Sequence, residues 1–212
     1  MLFINLDNTA NKEYNIHTKS NRGGQAVSNI RDLEEKFIDR EEIFDGQILH
    51  VVKDKVALSD GSESFREFCL HFGGVCVLPL LDDGRVLVER QYRYAHGRVF
   101  LEIPAGKLNY PDEDPLSAGK RELKEETGAV AERYTFLGEI ATTPALINER
   151  IYVYLAEGLT FGECELDKGE LLEVDSIPFP ELYGMVMSGE IKDAKTQIAV
   201  LKTAALRPNL IT

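Results

Sequence analysis

The chain has 212 residues, enough for one substantial domain with an extension or for two small ones. Its 24 lysines and arginines face 36 aspartates and glutamates, a formal charge of −12, which excludes a general nucleic-acid binder because such a surface must neutralise phosphates. Hydrophobic residues at 43% and charged residues at 28% are ordinary globular values, so the bulk of the chain is expected to fold rather than behave as an acidic tail. Cys69, Cys76 and Cys164 are odd in number and form no CxxC, which fits reduced thiols in the cytoplasm better than a disulfide framework. The longest apolar run, Val75 to Leu81, is about a third of a membrane span, and the polar N-terminus lacks a signal-peptide core. A cytoplasmic protein with neither nucleic-acid nor membrane partners is the expectation.

Residues 1–36 are polar and carry no sustained period, apart from a stretch around Ile30 to Phe37 that could form a turn or two of helix; they read as a poorly ordered arm. Residues 37–70 read as strands around a hairpin turning at Asp60-Gly61-Ser62, and a hairpin alone is marginal in water, so it needs a partner surface. Gly73 to Pro79 is almost continuously apolar, and Arg85 to Arg90 alternates through Val86 and Val88, so two core strands are expected, followed by a third at Val99 to Ile103. Asp114 as N-cap, Pro115 at the first helical position and Gly128 past the last turn punctuate a helix. Strands at Tyr134 to Ile140, Arg150 to Ala156 and Leu171 to Ile177, then helical spacing at Glu181 to Met187 and Lys195 to Leu206, complete an α/β or α+β order.

On the helix after Asp114, Leu116, Gly119 and Leu123 make a narrow apolar face, while Glu122, Glu125 and Glu126 crowd the other side. Like charges three and four residues apart cost roughly 0.2 to 0.5 kcal/mol per pair, and a cation between them reverses the sign. Oxygen-only ligands suit Mg²⁺ or Mn²⁺, and His17, His50, His71 and His96 are too scattered to compete. Three glutamates alone would otherwise read as a solvated face.

Gly106, Glu113, Arg121, Glu122, Leu123, Glu125, Glu126 and Gly128 together resemble the signature of the Nudix hydrolases, with six residues between Gly106 and Glu113 where the family has five. The resemblance implies an α/β fold, the Nudix α/β/α sandwich over residues 71–207, with the N-terminal β-hairpin subdomain used for dimerisation. It implies Glu122, Glu126 and the Ala105 carbonyl as metal ligands, Glu125 as a supporting catalytic acid, and Arg121 as the ion-pairing anchor of the cluster. The string Phe100-Leu101-Glu102-Ile103-Pro104-Ala105-Gly106-Lys107 looks like the ADP-ribose pyrophosphatase branch, as does Thr143-Pro144-Ala145 followed by Glu149, although Ala145 replaces that branch's glycine. By the same likeness Gln47, Arg66 and Glu67 belong to the dimerising strands that reach a partner's nucleotide site, and Arg93 contacts the nucleotide. Glu170 aligns with the loop glutamate that approaches metal and acts in catalysis, with Asp167 and Glu165 as the other candidates for general base.

What this implies is Mg²⁺-dependent hydrolysis of ADP-ribose to AMP and ribose 5-phosphate by a homodimer. The tail Ser188-Gly189-Glu190-Ile191-Lys192-Asp193-Ala194-Lys195-Thr196 also resembles GDP-mannose hydrolases, so another nucleoside diphosphate sugar is the first rival. A non-catalytic nucleotide sensor on the same fold is the second, and it would be expected to lack the box glutamates.

Overall fold

The structure, a computed structural model, describes residues 33–166 and 171–211. The expected arm is therefore largely outside the described residues, as are Asp167 and Glu170. One compact unit spans Glu35–Thr212.

Its N-terminal part is a three-stranded antiparallel sheet in the order β1 (Lys36–Asp45), β2 (His50–Ala57), β3 (Glu63–Leu70). The hairpin expected at Asp60-Gly61-Ser62 is the β2–β3 connection: Asp60 Oδ1 accepts the Ser62 N–H and hydroxyl at 2.9 and 2.6 Å, and Gly61 takes a φ of 86°. The hairpin is extended by β1, so the subdomain has three strands, and Lys36 and Phe37 are strand rather than the helical turn considered for that stretch. All ten β1 residues are exposed. With neither face buried, β1 has no polar–apolar alternation to read. Arg40 grips Asp54 through both carboxylate oxygens at 2.6 and 2.7 Å and ties β1 to β2.

The main body is a mixed sheet. Its backbone path is β10-β5-β4-β9-β8, with β6 added to β5 and β7 added to β4. The ranges are β4 Gly74–Leu80, β5 Arg85–Arg93, β6 Arg98–Glu102, β7 Ala105–Lys107, β8 Ala129–Ile140, β9 Ile151–Phe161 and β10 Leu172–Pro178. Among the described strands of this sheet, only β4 and β9 pair in parallel. Every residue of β4 is buried, because helices cover both faces of the sheet at its centre. Val75 and Val77 face α1 (Pro115–Thr127), whereas Cys76, Leu78 and Leu80 face α2 (Phe179–Met187) and α3 (Ala194–Leu206). Phe179, Leu182, Ala199 and Val200 close the core on one side, Ala118 and Leu123 on the other. This is the α/β/α sandwich that the signature implied.

Helix α1 starts and stops as its punctuation predicts. Asp114 Oδ2 accepts the Ser117 N–H and hydroxyl at 2.9 and 2.8 Å, and Gly128 ends the helix at φ 69°. Gly119 lies against the sheet: a Cβ there would stand 3.0 Å from Val75 Cγ2 and 3.2 Å from Val77 Cγ2. The close approach accounts for a residue that is roughly 1 kcal/mol less favourable than Ala in a helix.

Candidate active site

The site forms where α1 crosses the short strand β7. Because β7 pairs with β4 and α1 packs on β4 through Gly119, the last two turns of the helix are pressed against Ala105 and Gly106. The Ala105 N–H donates to Glu126 Oε2 at 3.0 Å, and Glu126 is buried at 3% exposure. Glu122 lies so close to Gly106 that an added Cβ would meet its carboxyl carbon at 1.9 Å. Ala105, Glu122 and Glu126 are thus brought together by the fold.

Arg121 organises the acids around it. Its Nη1 lies 2.7 Å from Glu122 Oε1 and donates to Glu125 Oε2 at 3.0 Å, while Nη2 donates to the Lys107 carbonyl at 3.2 Å. Glu113 Oε1 lies 3.7 Å from Arg121 Nε, and Glu113 Oε2 accepts the Asn109 N–H at 2.5 Å. The additional residue between Gly106 and Glu113 is taken up in the 107–114 loop, where the Glu113 N–H turns back to the Tyr110 carbonyl at 3.2 Å, and Glu113 still reaches the arginine. One guanidinium therefore faces three carboxylates on one side and a backbone carbonyl on another.

Among the described residues no three acidic, histidine or cysteine side chains stand as a ready-made metal cage. The donor set nonetheless fits a hard divalent cation. Glu122 and Glu126 bring carboxylate oxygens to the β7–α1 crossing, and Gly106 leaves the Glu122 carboxylate the space beside the strand.

The segment after β9 folds back over the end of α1. The Gly162 N–H donates to the Gly128 carbonyl at 2.8 Å, the Glu165 N–H to the Glu125 carbonyl at 3.0 Å, and the Cys164 thiol to the carbonyls of Glu125 and Glu126 at 3.0 and 3.1 Å. Glu165 and Glu125 share a cavity of about 480 Å³ with Lys120, Lys124 and Tyr134. The expectations for Asp167 and Glu170 fall outside the described residues.

Pro144 and Glu149 belong to the loop after β8, and this loop is fastened to the N-terminal sheet. The Cys69 N–H donates to the Leu146 carbonyl at 2.8 Å and the His71 N–H to Asn148 Oδ1 at 2.7 Å. Glu149 accepts the Thr142 hydroxyl at 3.1 Å and lies 3.5 Å from His71 Nδ1, which itself accepts the Gly73 N–H at 3.0 Å. Gln47 lies in the connection between β1 and β2 rather than in a strand as expected, Arg66 and Glu67 lie on β3, and all three are exposed. The partners of Arg66 are Glu35, Ser64 and the Phe65 carbonyl, none of them in the α1 cluster.

Arg93, at the end of β5, turns its fork onto Glu102: Nε and Nη2 donate to Oε1 and Oε2 at 2.8 and 2.7 Å. Burial raises the Glu102 carboxyl, but the hydrogen bonds and charges of Arg93 and Lys195 outweigh it and leave its pKa below the ordinary value. Lys195 and Asp193, which the sequence marked only as part of a tail, join this cluster. Charged residues far apart in sequence have no period that would show their pairing.

The NUDIX domain profile matches residues 70–198. An ADP-ribose pyrophosphatase of Bacillus subtilis is 38% identical over 173 residues, covering 81% of this chain and 93% of that protein. A methanol dehydrogenase activator of Bacillus methanolicus is 37% identical over 170 residues, covering 79% and 91%. A GDP-mannose pyrophosphatase of Yersinia enterocolitica is 32% identical over 133 residues, covering 58% and 69%. A crystal structure of an ADP compounds hydrolase superposes with a TM-score of 0.73 at 20% identity, over 85% of this chain and 98% of that one, a likeness of fold.

Proposed function

The chain belongs to the Nudix hydrolases, in their ADP-ribose pyrophosphatase-like branch, and from that premise we propose that it hydrolyses the diphosphate of ADP-ribose to AMP and ribose 5-phosphate with Mg²⁺, Mn²⁺ serving in its place. The observation that carries the reading is the crossing of α1 over β7, which sets Glu122 and Glu126 against Ala105 and Gly106. A diphosphate repels an attacking water, and a divalent cation neutralises it and acidifies the water. Glu122, Glu126 and the Ala105 carbonyl would hold that cation. Arg121 ion-pairs with Glu122 and Glu125 and holds them in place. Water attacks one phosphorus, the bridging P–O bond breaks, and the water's proton passes to an acid of the 163–170 loop, Glu170 first, with Glu165 and Asp167 as its alternatives.

Arg93 supplies positive charge for the nucleotide's phosphates, and Pro144 and Glu149 shape the sugar side. Gln47, Arg66 and Glu67 act on a partner chain's nucleotide in a homodimer. Support for the dimer comes from the N-terminal sheet, which leaves Phe37, Ile43, Phe44, Ile48 and Phe65 more than half exposed. No helix among the described residues is long and apolar enough to cross a membrane, and a cytoplasmic homodimer is the proposed working form.

A second reading is a different nucleoside diphosphate sugar, favoured by the likeness of residues 188–196 to GDP-mannose hydrolases and by the Yersinia relatives. Turnover of ADP-ribose, GDP-mannose, UDP-glucose, NADH and diadenosine polyphosphates with and without Mg²⁺ tests both. Preference for ADP-ribose supports the first and preference for GDP-mannose the second. Failure to cleave any of them would leave the sensor reading.

A further inference from the structure

Beside the acidic crossing lies a second charged cluster built from three separate elements. Glu102, at the end of β6, is 1% exposed and takes three hydrogen bonds: two from Arg93 of β5, and one at 3.2 Å from Lys195 Nζ of α3. Lys195 and Arg93 Nη2 converge on the same oxygen, Oε2. Lys195 is largely buried and also donates to Asp193 Oδ1 at 2.6 Å. The other oxygen of Asp193 accepts the Thr196 N–H and hydroxyl at 2.8 and 2.7 Å, so it caps α3. Thr196 Oγ1 in turn accepts the Ile103 N–H at 3.0 Å, one residue after Glu102. Glu89, opposite Glu102 in register, adds negative field around Arg93.

This arrangement sets Arg93 in one pose. A guanidinium has five N–H donors, and two of them are spent on Glu102, leaving 5 − 2 = 3 on its outer edge. That edge borders an open depression of about 300 Å³ lined also by His96, Phe100 and Lys195. A buried carboxylate facing a single cation is held less firmly in its charged form than one facing two, and a protonated Glu102 would accept the fork poorly. Lys195 is the second cation.

We propose that Lys195, acting through Glu102, is a positioning residue that aims the Arg93 guanidinium at the diphosphate of the nucleotide. The turn Asp193–Thr196 thereby couples the head of α3 to substrate binding, and this rests on the nucleotide-contacting role proposed for Arg93.

Two variants test it. Lys195→Met keeps the apolar stem and removes the charge, whereas Lys195→Arg restores a cation. Lys195→Met is expected to raise KM for ADP-ribose about tenfold with kcat within about threefold of wild type, the pattern of lost uniform binding. Lys195→Arg should return KM to within about threefold. In an Arg93→Ala background the Lys195→Met step should leave KM unchanged, because the two act as one unit. An NMR signal of the Arg93 Nε–H, slow to exchange in wild type, should be lost in Lys195→Met and kept in Lys195→Arg. An unchanged KM, or equal increments of KM in both backgrounds, overturns the proposal. If Lys195→Met fails to fold, Lys195→Gln takes its place in the same measurements. If the wild type cleaves no nucleotide sugar, the functional reading fails separately, and persistence of the Arg93 Nε–H signal in the charge-removed variant overturns the positioning role by itself.

Discussion

Replacing Gly106 by alanine probes the crossing of β7 and α1 with a single methyl group. The added Cβ would stand 1.9 Å from the carboxyl carbon of Glu122 and 2.0 and 2.3 Å from its oxygens. Ordinary contact begins near 3.4 Å, so the carboxylate must retreat by roughly 1.5 Å (3.4 − 1.9). It is the far end of a flexible side chain, and the strand backbone at Gly106 is outside the left-handed region, so the fold absorbs the change. Loss of glycine's freedom in the unfolded chain even favours the variant, by about 0.4 to 1 kcal/mol. The site does not absorb it, since displacement of a positioned group by about 1 Å costs on the order of 100-fold in rate, or about 2.7 kcal/mol of transition-state stabilisation. We therefore expect Gly106→Ala to keep the wild-type Tm within about 2 °C, for a chain in which 1 kcal/mol moves Tm by roughly 2 to 4 °C, and to lose about two orders of magnitude in kcat/KM for ADP-ribose with Mg²⁺. Activity within threefold of wild type, with an unchanged melting curve, would refute the placement of Glu122 at the reaction.

Glu126→Gln keeps an oxygen for the Ala105 N–H but removes the charge, and should lower kcat by at least about 100-fold with the fold intact; near-normal turnover would remove the metal-binding role. Asp114→Ala removes the cap of α1 and should cost about 1 kcal/mol, whereas Asp114→Asn should cost much less. The Ser117 hydroxyl and N–H hold the Asp114 carboxyl below its ordinary pKa, so this cap's contribution is present above about pH 4 and fades as pH falls through the lower folded value; acid melts of wild type and Asp114→Ala should converge there. Burial pushes the Cys76 thiol up to about 12, so its contribution to stability is complete below about pH 8.5 and declines as pH rises toward the folded value. In a Cys69→Ser, Cys164→Ser variant, Cys76 should react with a disulfide reagent at pH 8 only after denaturant is added, and rapid reaction of the native protein would contradict its burial.

Local chemistry is what the sequence carries most plainly. The cap at Asp114, the stop at Gly128 and the acids of α1 act over four residues or fewer, and each is where its spacing indicated. Strand β4 was legible because both of its faces are apolar, a consequence of helices above and below. Strand β1 was not, because burial is what imprints alternation and all ten of its residues are exposed. The three-residue β7 is too short for any period, yet it holds Ala105 and Gly106, and only the resemblance pointed to it. The Glu102–Lys195 pair spans 93 positions and leaves no local trace.

The electrostatics of α1 show why this helix is better suited to a task than to its own stability. A helix C-terminus carries a partial negative charge, so acids there are unfavourable by about 0.3 to 1 kcal/mol each when exposed. Glu122, Glu125 and Glu126 occupy the last two turns, beside one another and beside Gly128. Arg121 offsets part of the repulsion but is shared among Glu113, Glu122 and Glu125, and Glu126 is buried beside β7, where its Oε2 accepts the Ala105 N–H. Substituting apolar or basic residues at these positions would relieve the helix at once. A cation of charge two at the same place, as the proposed function requires, would turn each repulsion into a shared attraction. On the proposed function, the acidity of the whole chain, a net −12, does not conflict with an anionic substrate, because a bound cation would set the local field at the crossing.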